Sequence, residues 1–347
     1  MTDLWDNLKN SAEPIVLYGT GNGADKIIKV LDEKGIEFKG VFSSDEFSRP
    51  DKTFHNFPVL KLRDFEEKYG KLNVLMCFGS SRIEVLDNIK RIKAKHNFYA
   101  PDVPVYGDIL FDKDYYLKTR KNHDKILNLL ADDISKTVFK SIIDYKLSGD
   151  VDYLFGCETV IDESYSNILR LSDSEIYLDL GAYRGDTVEE FISHTNGYKK
   201  IYAVEPDKKT FKKLQKSTEN LENISLINAV ISDRIGTGFF DMKGSRGSSE
   251  VSENTGTKTD ILTVDSIIGS NPLTYIKADV EGAELEFIRG AENTIRLKKP
   301  KMQIACYHRS EDLFTIPEAV LNIRDDYKIY MRHYPSVPAW DTVYYFV

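Results

Sequence analysis

The chain has 347 residues, enough for two domains at roughly 150 residues each. Apolar residues make up 41% and charged residues 29%, which excludes a disordered tail and a chain embedded in lipid. The net charge of −8 argues against wholesale binding to nucleic acid or anionic lipid. No apolar run approaches the roughly 20 residues that span a bilayer. The opening MTDLWDNLKNSAEP lacks the basic and apolar segments of a secretory signal. Cys77, Cys157 and Cys306 lie far apart with no CxxC pair, so neither a disulfide framework nor a zinc knuckle is indicated. The expected compartment is the cytosol.

Residues 1–110 read as a small Rossmann-like α/β unit. Pro14 to Tyr18 is a short apolar strand that runs into Gly19-Thr20-Gly21-Asn22-Gly23-Ala24. A helix follows, with Ile27, Ile28 and Leu31 on one face and Gly35 as its stop. Ile36 to Phe42 reads as a second strand, and the run Leu72 to Phe78, apolar but for Asn73, as a buried parallel one. Residues 111–150 read as a helical linker. Ile126, Leu129 and Leu130 form one apolar face; Ile134, Val138, Ile142 and Ile143 form another, open to use in a homo-oligomer.

Residues 151–347 read as a second α/β unit. Strands are expected at 175–180, 200–205, 224–228, 275–279 and 302–307. Two more, 328–333 and 341–347, are joined by the Pro-containing loop PSVPAW and are expected to be antiparallel. Alternation with helical stretches predicts an open, mostly parallel sheet. The polar stretch Gly244 to Asp260 is too long for a turn and reads as a mobile loop or a lid.

Ligands of open α/β sheets bind beyond the carboxyl ends of the strands. After the first strand of the second unit comes DLGAYRGDT, residues 179–187. Gly181 and Gly185 permit a tight turn and close approach to a ligand. Asp186 with Glu189 has the capping-box spacing, so a helix starts there with free N–H groups suited to an anion. Glu205-Pro206-Asp207 follows the next strand, about 20 residues on. An acid there accepts hydrogen bonds from both hydroxyls of a ribose.

YLDLGAYRGDT, YAVEPD, INAV, YIKADVEGAE and CYHRSEDL, in this order, resemble the FkbM family of S-adenosylmethionine-dependent methyltransferases. The similarity covers roughly residues 150–347. It implies a class I methyltransferase fold, seven strands with the last antiparallel. It also implies transfer of a methyl group to oxygen, often a sugar hydroxyl of a glycan-type acceptor. On this resemblance Asp179 and Gly181 border the methionine portion, and Tyr183, Gly185, Asp186 and Thr187 meet its carboxylate. Glu205, Pro206 and Asp207 take the ribose, while Asn228 and Ala229 lie near adenine. Asp279 and Glu281 sit where the sulfonium meets the acceptor. His308 ends the fifth strand and is the candidate general base, since its ordinary pKa near 6.5 suits proton removal at neutral pH. Asp312 is placed to orient the imidazole. Glu284 reads as exposed or outlying. Asp279, Glu281 and His308 together offer a divalent ion ligands, an alternative that is kept open but not favoured, because no compact metal-ligand motif is present; no metal is assigned and activity is expected to survive EDTA.

Two other readings remain open. Gly19-x-Gly21-x-x-Ala24 fits a dinucleotide fingerprint, which allows an oxidoreductase binding NAD(P) or a nucleotide sugar through the first unit, although no acid follows the second strand until Asp45. A non-catalytic scaffold that keeps the methyltransferase fold is the other.

Overall fold

In the first unit, β1 (Ile15–Tyr18) is four consecutive buried residues, the pattern of a strand covered on both faces. The computed structural model describes residues 3–44, 52–241 and 256–347 and the backbone of 249–250. β2 (Val41–Phe42), β3 (Thr53–Phe54), β4 (Phe57–Leu60), β5 (Asn73–Met76) and β6 (Asn97–Tyr99) complete a sheet of order β3-β4-β2-β1-β5-β6. Its pairings are parallel except β3 with β4. The helix Asn22–Lys34 follows β1, with Gly21 as its N-cap and Gly35 in the left-handed conformation as its stop. The expected strand from Ile36 is regular only over Val41–Phe42, although Lys39 and Gly40 also exchange backbone hydrogen bonds with β1. Asp45 lies outside the described residues.

The linker forms two helices, Lys113–Leu129 and Asp133–Ser148, rather than one. Asp132 breaks them, because its carboxylate caps the second by accepting the Ser135 N–H at 2.7 Å. Gly149 closes it in the left-handed conformation. Ile126, Val138, Ile142 and Ile143 are buried within the chain, while Leu129 and Ile134 stay exposed. The linker's apolar faces therefore serve the chain's own core first.

The second unit contains β7 (Ile176–Leu180), β8 (Lys200–Val204), β9 (Ile224–Ile227), β10 (Ala229–Ile231), β11 (Gly236–Asp241), β12 (Ser249–Glu250), β13 (Thr257–Leu262), β14 (Tyr275–Ala278), β15 (Lys301–Ala305), β16 (Ile329–His333) and β17 (Thr342–Phe346). Seven make one sheet of order β16-β17-β15-β14-β7-β8-β9. Its central pairings are parallel, and β17 runs antiparallel to both neighbours. This is the arrangement the sequence predicts. A four-stranded sheet, β10-β13-β11-β12, is an addition. β13 takes up the end of the polar stretch 244–260, so that part is not a loop; residues 242–248 and 251–255 lie outside the described residues.

One apolar core runs from Val16 and Val74 through Phe111, Val138 and Phe139 to Ile304 and Tyr344, joining both large sheets to the linker helices. Polar clamps reinforce it. Lys146 meets Asp102 at 2.8 Å, and the Ser80 and Val337 backbones exchange two hydrogen bonds. Arg332, only 1% exposed, pairs with Asp132 at 2.7 Å and Glu163 at 3.0 Å, tying β16 to the linker. No helix among the described residues is long and apolar enough to cross a membrane. Arg332→Ala leaves two carboxylates facing a void, so we expect a loss of about 3 kcal/mol, measured by urea unfolding against the parent chain.

Candidate active site

The carboxyl ends of β7, β8 and β14, with part of the small sheet, enclose a cavity of about 840 Å³, within the usual range of small-molecule sites, about 300–1,000 Å³. The loop after β7 sets its shape. Gly181 has φ +85°, and a Cβ there would lie 2.0 Å from the Asp279 carbonyl oxygen. Only glycine lets this loop pass against the exit of β14. Tyr183 is left-handed at φ 47°, which turns its N–H to donate to Glu205 Oε2 at 3.1 Å. Glu205 Oε1 accepts the Asp207 N–H at 2.8 Å.

Glu205 is thus held between two loops, 7% exposed. Burial pushes its carboxyl up to about 7; the two backbone N–H groups oppose that rise, and the charges of Asp207 and Asp179 add to it. Beside it stand Val204, Pro206, Ala229, Val230, Ile231, Phe240 and Ile261, an apolar wall. A carboxylate flanked by such a wall suits a ligand with a diol next to a flat apolar ring.

At the other end, Asp279 and Glu281 line the cavity, with Glu281 left-handed at φ 56°. The Tyr307 hydroxyl donates to Asp279 Oδ2 at 3.1 Å. Behind them His308 is fully buried. Its Nε2 lies 3.4 Å from Asp279 Oδ1 and 3.5 Å from Glu281 Oε2, and its Nδ1 lies 2.9 Å from Glu284 Oε1. Burial alone would favour the neutral ring, but the charges of Glu284, Glu281 and Asp279 outweigh it and hold its pKa well above the ordinary value.

Gly181, Tyr183, Asp186, Thr187, Glu205, Pro206, Asp207, Ala229, Asp279 and Glu281 all line the cavity, as the sequence suggests. Four expected residues do not. Asp179 is fully buried behind the wall and accepts a hydrogen bond from the Thr187 hydroxyl. Gly185 is the helix N-cap at φ 94°, so the helix Asp186–Ser193 starts where expected but without a side-chain cap. Asn228 donates its amide to the carbonyls of Glu205 and Pro206, at 2.8 and 2.9 Å, and so braces the loop instead of facing the cavity. His308 has no surface on the cavity, which puts a direct base role out of its reach here. Asp312 does not orient the imidazole; its Oδ2 accepts the Arg309 N–H at 2.8 Å. Glu284, read from sequence as an outlying helix-start acid, is the carboxylate that stands nearest the ring, with Oε1 2.9 Å from Nδ1.

Tyr106 and Arg309 also line the cavity. The Arg309 guanidinium stacks on the Tyr106 ring at 4.4 Å and donates through Nε to the Gly282 carbonyl at 2.8 Å. Tyr106 comes from the segment leading into the linker, and no spacing in the sequence signals that it reaches the second unit.

A seven-stranded sheet with one antiparallel strand, and a cavity at its carboxyl edge, define the class I methyltransferase architecture. Residues 179–328 match the family described as the methyltransferase FkbM domain, so this part of the chain is similar to that family's methyltransferase domain. A crystal structure of methyltransferase FkbM from Methylobacillus flagellatus KT is similar over 98% of this chain and 91% of that one, with a TM-score of 0.74 and 24% identity. That likeness covers both units and the linker. Precorrin-6y C5,15-methyltransferase from Geobacter metallireducens aligns over 54% of this chain and 85% of that one (TM-score 0.33, 16% identity). Fibrillarin from Aeropyrum pernix aligns over 53% and 73% (TM-score 0.35, 14% identity). No curated protein sequence matches the chain.

Gly181→Ala forces a methyl group against the Asp279 carbonyl. We expect a loss of about 3 kcal/mol in denaturant unfolding. Gly236→Ala, where a Cβ meets nothing within 4 Å, is the control and stays near the parent value.

Proposed function

We propose that the protein is an S-adenosylmethionine-dependent O-methyltransferase acting on a hydroxyl of a sugar or glycan-type acceptor. The observation that carries this reading is Glu205, a buried carboxylate at the end of β8 between the Gly181–Tyr183 loop and an apolar wall. The residues fit a nucleoside sulfonium: Glu205 for the ribose diol, Pro206, Ala229 and Ile231 against the adenine, and the Tyr183–Thr187 turn at the helix start for the amino-acid end. When bound, such a donor supplies a methyl group on positive sulfur, open to in-line displacement by oxygen.

The chain's own residues do the rest. The apolar wall keeps water from the ribose and base. Asp279 and Glu281 present carboxylates beside the expected position of the methyl group. Either accepts a hydrogen bond from the acceptor hydroxyl and draws its proton as the new bond forms. His308, through its contacts with both, is a positioning residue for them. Tyr106 offers a ring face for the C–H side of a sugar, and Arg309, Asp233 and Glu286 offer polar groups for its hydroxyls. The cysteines are free and buried, which agrees with a cytosolic setting.

Calorimetry with S-adenosylhomocysteine tests the donor site. Binding in the micromolar range is expected, weakened at least tenfold by Glu205→Ala. Tight NAD binding with none for S-adenosylhomocysteine would overturn the reading. Methyl transfer to sugar acceptors from labelled donor tests the acceptor class.

The pH dependence has a fixed sign. Glu205 accepts hydroxyl hydrogens best as a carboxylate, and its pKa near 7 leaves it mostly protonated at pH 6. Affinity for S-adenosylhomocysteine should therefore rise several-fold from pH 6 to pH 8, and Glu205→Gln should flatten that rise.

A further inference from the structure

Asp279, Glu284 and His308 each offer a ligand atom, and these atoms all lie within 4.8 Å of one another. That is the span across a divalent cation with bonds of about 2.1–2.4 Å. The burial is uneven: His308 and Glu284 are sealed at 0% and 1% exposure, while Asp279 opens on the cavity. Neither His308 nitrogen has a hydrogen-bond partner, and Glu284 Oε2 has none either. Nδ1 stands 2.9 Å from Glu284 Oε1 without the direction of a hydrogen bond, a spacing two neighbouring ligands of one cation adopt. Glu281 Oε2 lies 3.5 Å from Nε2, a third carboxylate at the rim.

Charge points the same way. Three carboxylates surround one imidazole, and among the described residues no lysine or arginine ion-pairs with Asp279, Glu281 or Glu284. The imidazole is the one cation-forming group within ion-pair distance of the three acids among the described residues, and a dication that takes the place of its proton offsets more of the carboxylate charge, the buried Glu284 above all. The rest of Glu284 is fixed for such a task, since its Oε1 also accepts the Val280 N–H at 3.2 Å.

We propose that Asp279, Glu284 and His308 form a divalent cation site at the inner end of the cavity, with the acceptor oxygen completing the coordination. Two carboxylates and one imidazole suit Mn²⁺ or Zn²⁺. The cation enters through the cavity, which Asp279 and Glu281 line as half-buried groups. Coordination lowers the pKa of the acceptor hydroxyl, so its proton leaves to solvent or to Glu281 before the oxygen takes the methyl group. This role rests on the methyl-transfer reading above; the site itself does not.

The test uses the full-length chain, stripped with chelator and dialysed, and titrated with Mn²⁺ or Zn²⁺ alone. One equivalent should bind with a micromolar dissociation constant, read by electron paramagnetic resonance for Mn²⁺ and calorimetry for Zn²⁺. Asp279→Asn, at a partly exposed residue and of equal shape, should weaken binding at least tenfold. Glu284→Gln, of equal shape, should do the same while leaving S-adenosylhomocysteine affinity within twofold. Activity should be lost in EDTA and return with the cation, contrary to what the sequence suggests. Absence of uptake at millimolar Mn²⁺ and Zn²⁺, or uptake unchanged in both variants, overturns the site. A chain that binds the cation but not S-adenosylhomocysteine upholds the site and removes the methyl-transfer reading; the converse result removes the site alone.

Discussion

The approach of Gly181 to the backbone of Asp279 constrains everything else in the cavity. β7 and β14 are adjacent parallel strands, so their exits leave the sheet side by side. A side chain on either loop would wedge them apart. With glycine at 181 the two loops touch, and the chain reaches Tyr183 in a left-handed conformation that turns its N–H toward Glu205. One missing Cβ thereby couples three strand ends. The ribose-type carboxylate at β8 and the acidic pair at β14 keep a fixed separation because they are braced against the same turn.

That arrangement concentrates negative charge where water is scarce. Asp179 is fully buried with one oxygen unpartnered, and burial pushes its carboxyl up to about 6 despite Lys277 and Thr187 nearby. Glu205 is raised for the same reason. Such groups weaken a fold near neutral pH, because the unfolded chain ionises them freely while the folded chain resists it. Their stability contribution is present while they stay protonated and declines as pH rises from the ordinary carboxylate range through the folded value. The continuous core and the buried Arg332 clamp supply the compensating stability elsewhere.

Much of this was legible in the residues. A run such as Val74 to Cys77 is apolar because both faces of its strand are covered, and the strand-end residues 181–187 and 205–207 follow from the rule that open sheets bind ligands at their carboxyl edge. Local signals failed where a side chain's role depends on what packs over it. Asn228 sits at a strand end like a ligand residue, yet its amide is turned back on two carbonyls. Glu284 looks like an ordinary helix-start acid, and only the fold shows that His308 descends onto it from β15. The strands β11 and β13 carry polar and glycine residues because one face of their small sheet is open, so alternation was faint. Tyr106 was invisible for a simpler reason: its partners are about 200 residues away.

Tyr106 also explains why the two α/β units are joined as they are. Its N–H donates to the His308 carbonyl at 2.9 Å, and the Ser310 hydroxyl donates to the Ile109 carbonyl at 2.6 Å, so residues 106–109 lie along the chain just beyond β15. A Cβ on Gly282 would strike the Tyr106 ring at 2.7 Å, which shows how closely this strap covers the β14 exit. From the other side, Lys26 donates to the carbonyls of Pro104 and Val105 at 2.7 Å each. Lys26 lies in the helix that follows the Gly19-Gly21 loop. A Cβ on Gly23, in the helix's first turn, would meet the Cys77 carbonyl at 2.1 Å, and one on Gly19 in the loop would meet the Phe78 ring at 2.6 Å, so both glycines answer packing needs of their own. The helix is thereby seated close on its sheet, and its lysine holds the strap. In physical terms the first unit acts on the cavity of the second: it carries the wall that faces Asp279 and Glu281, and the placement of Tyr106 and Arg309 depends on its being folded.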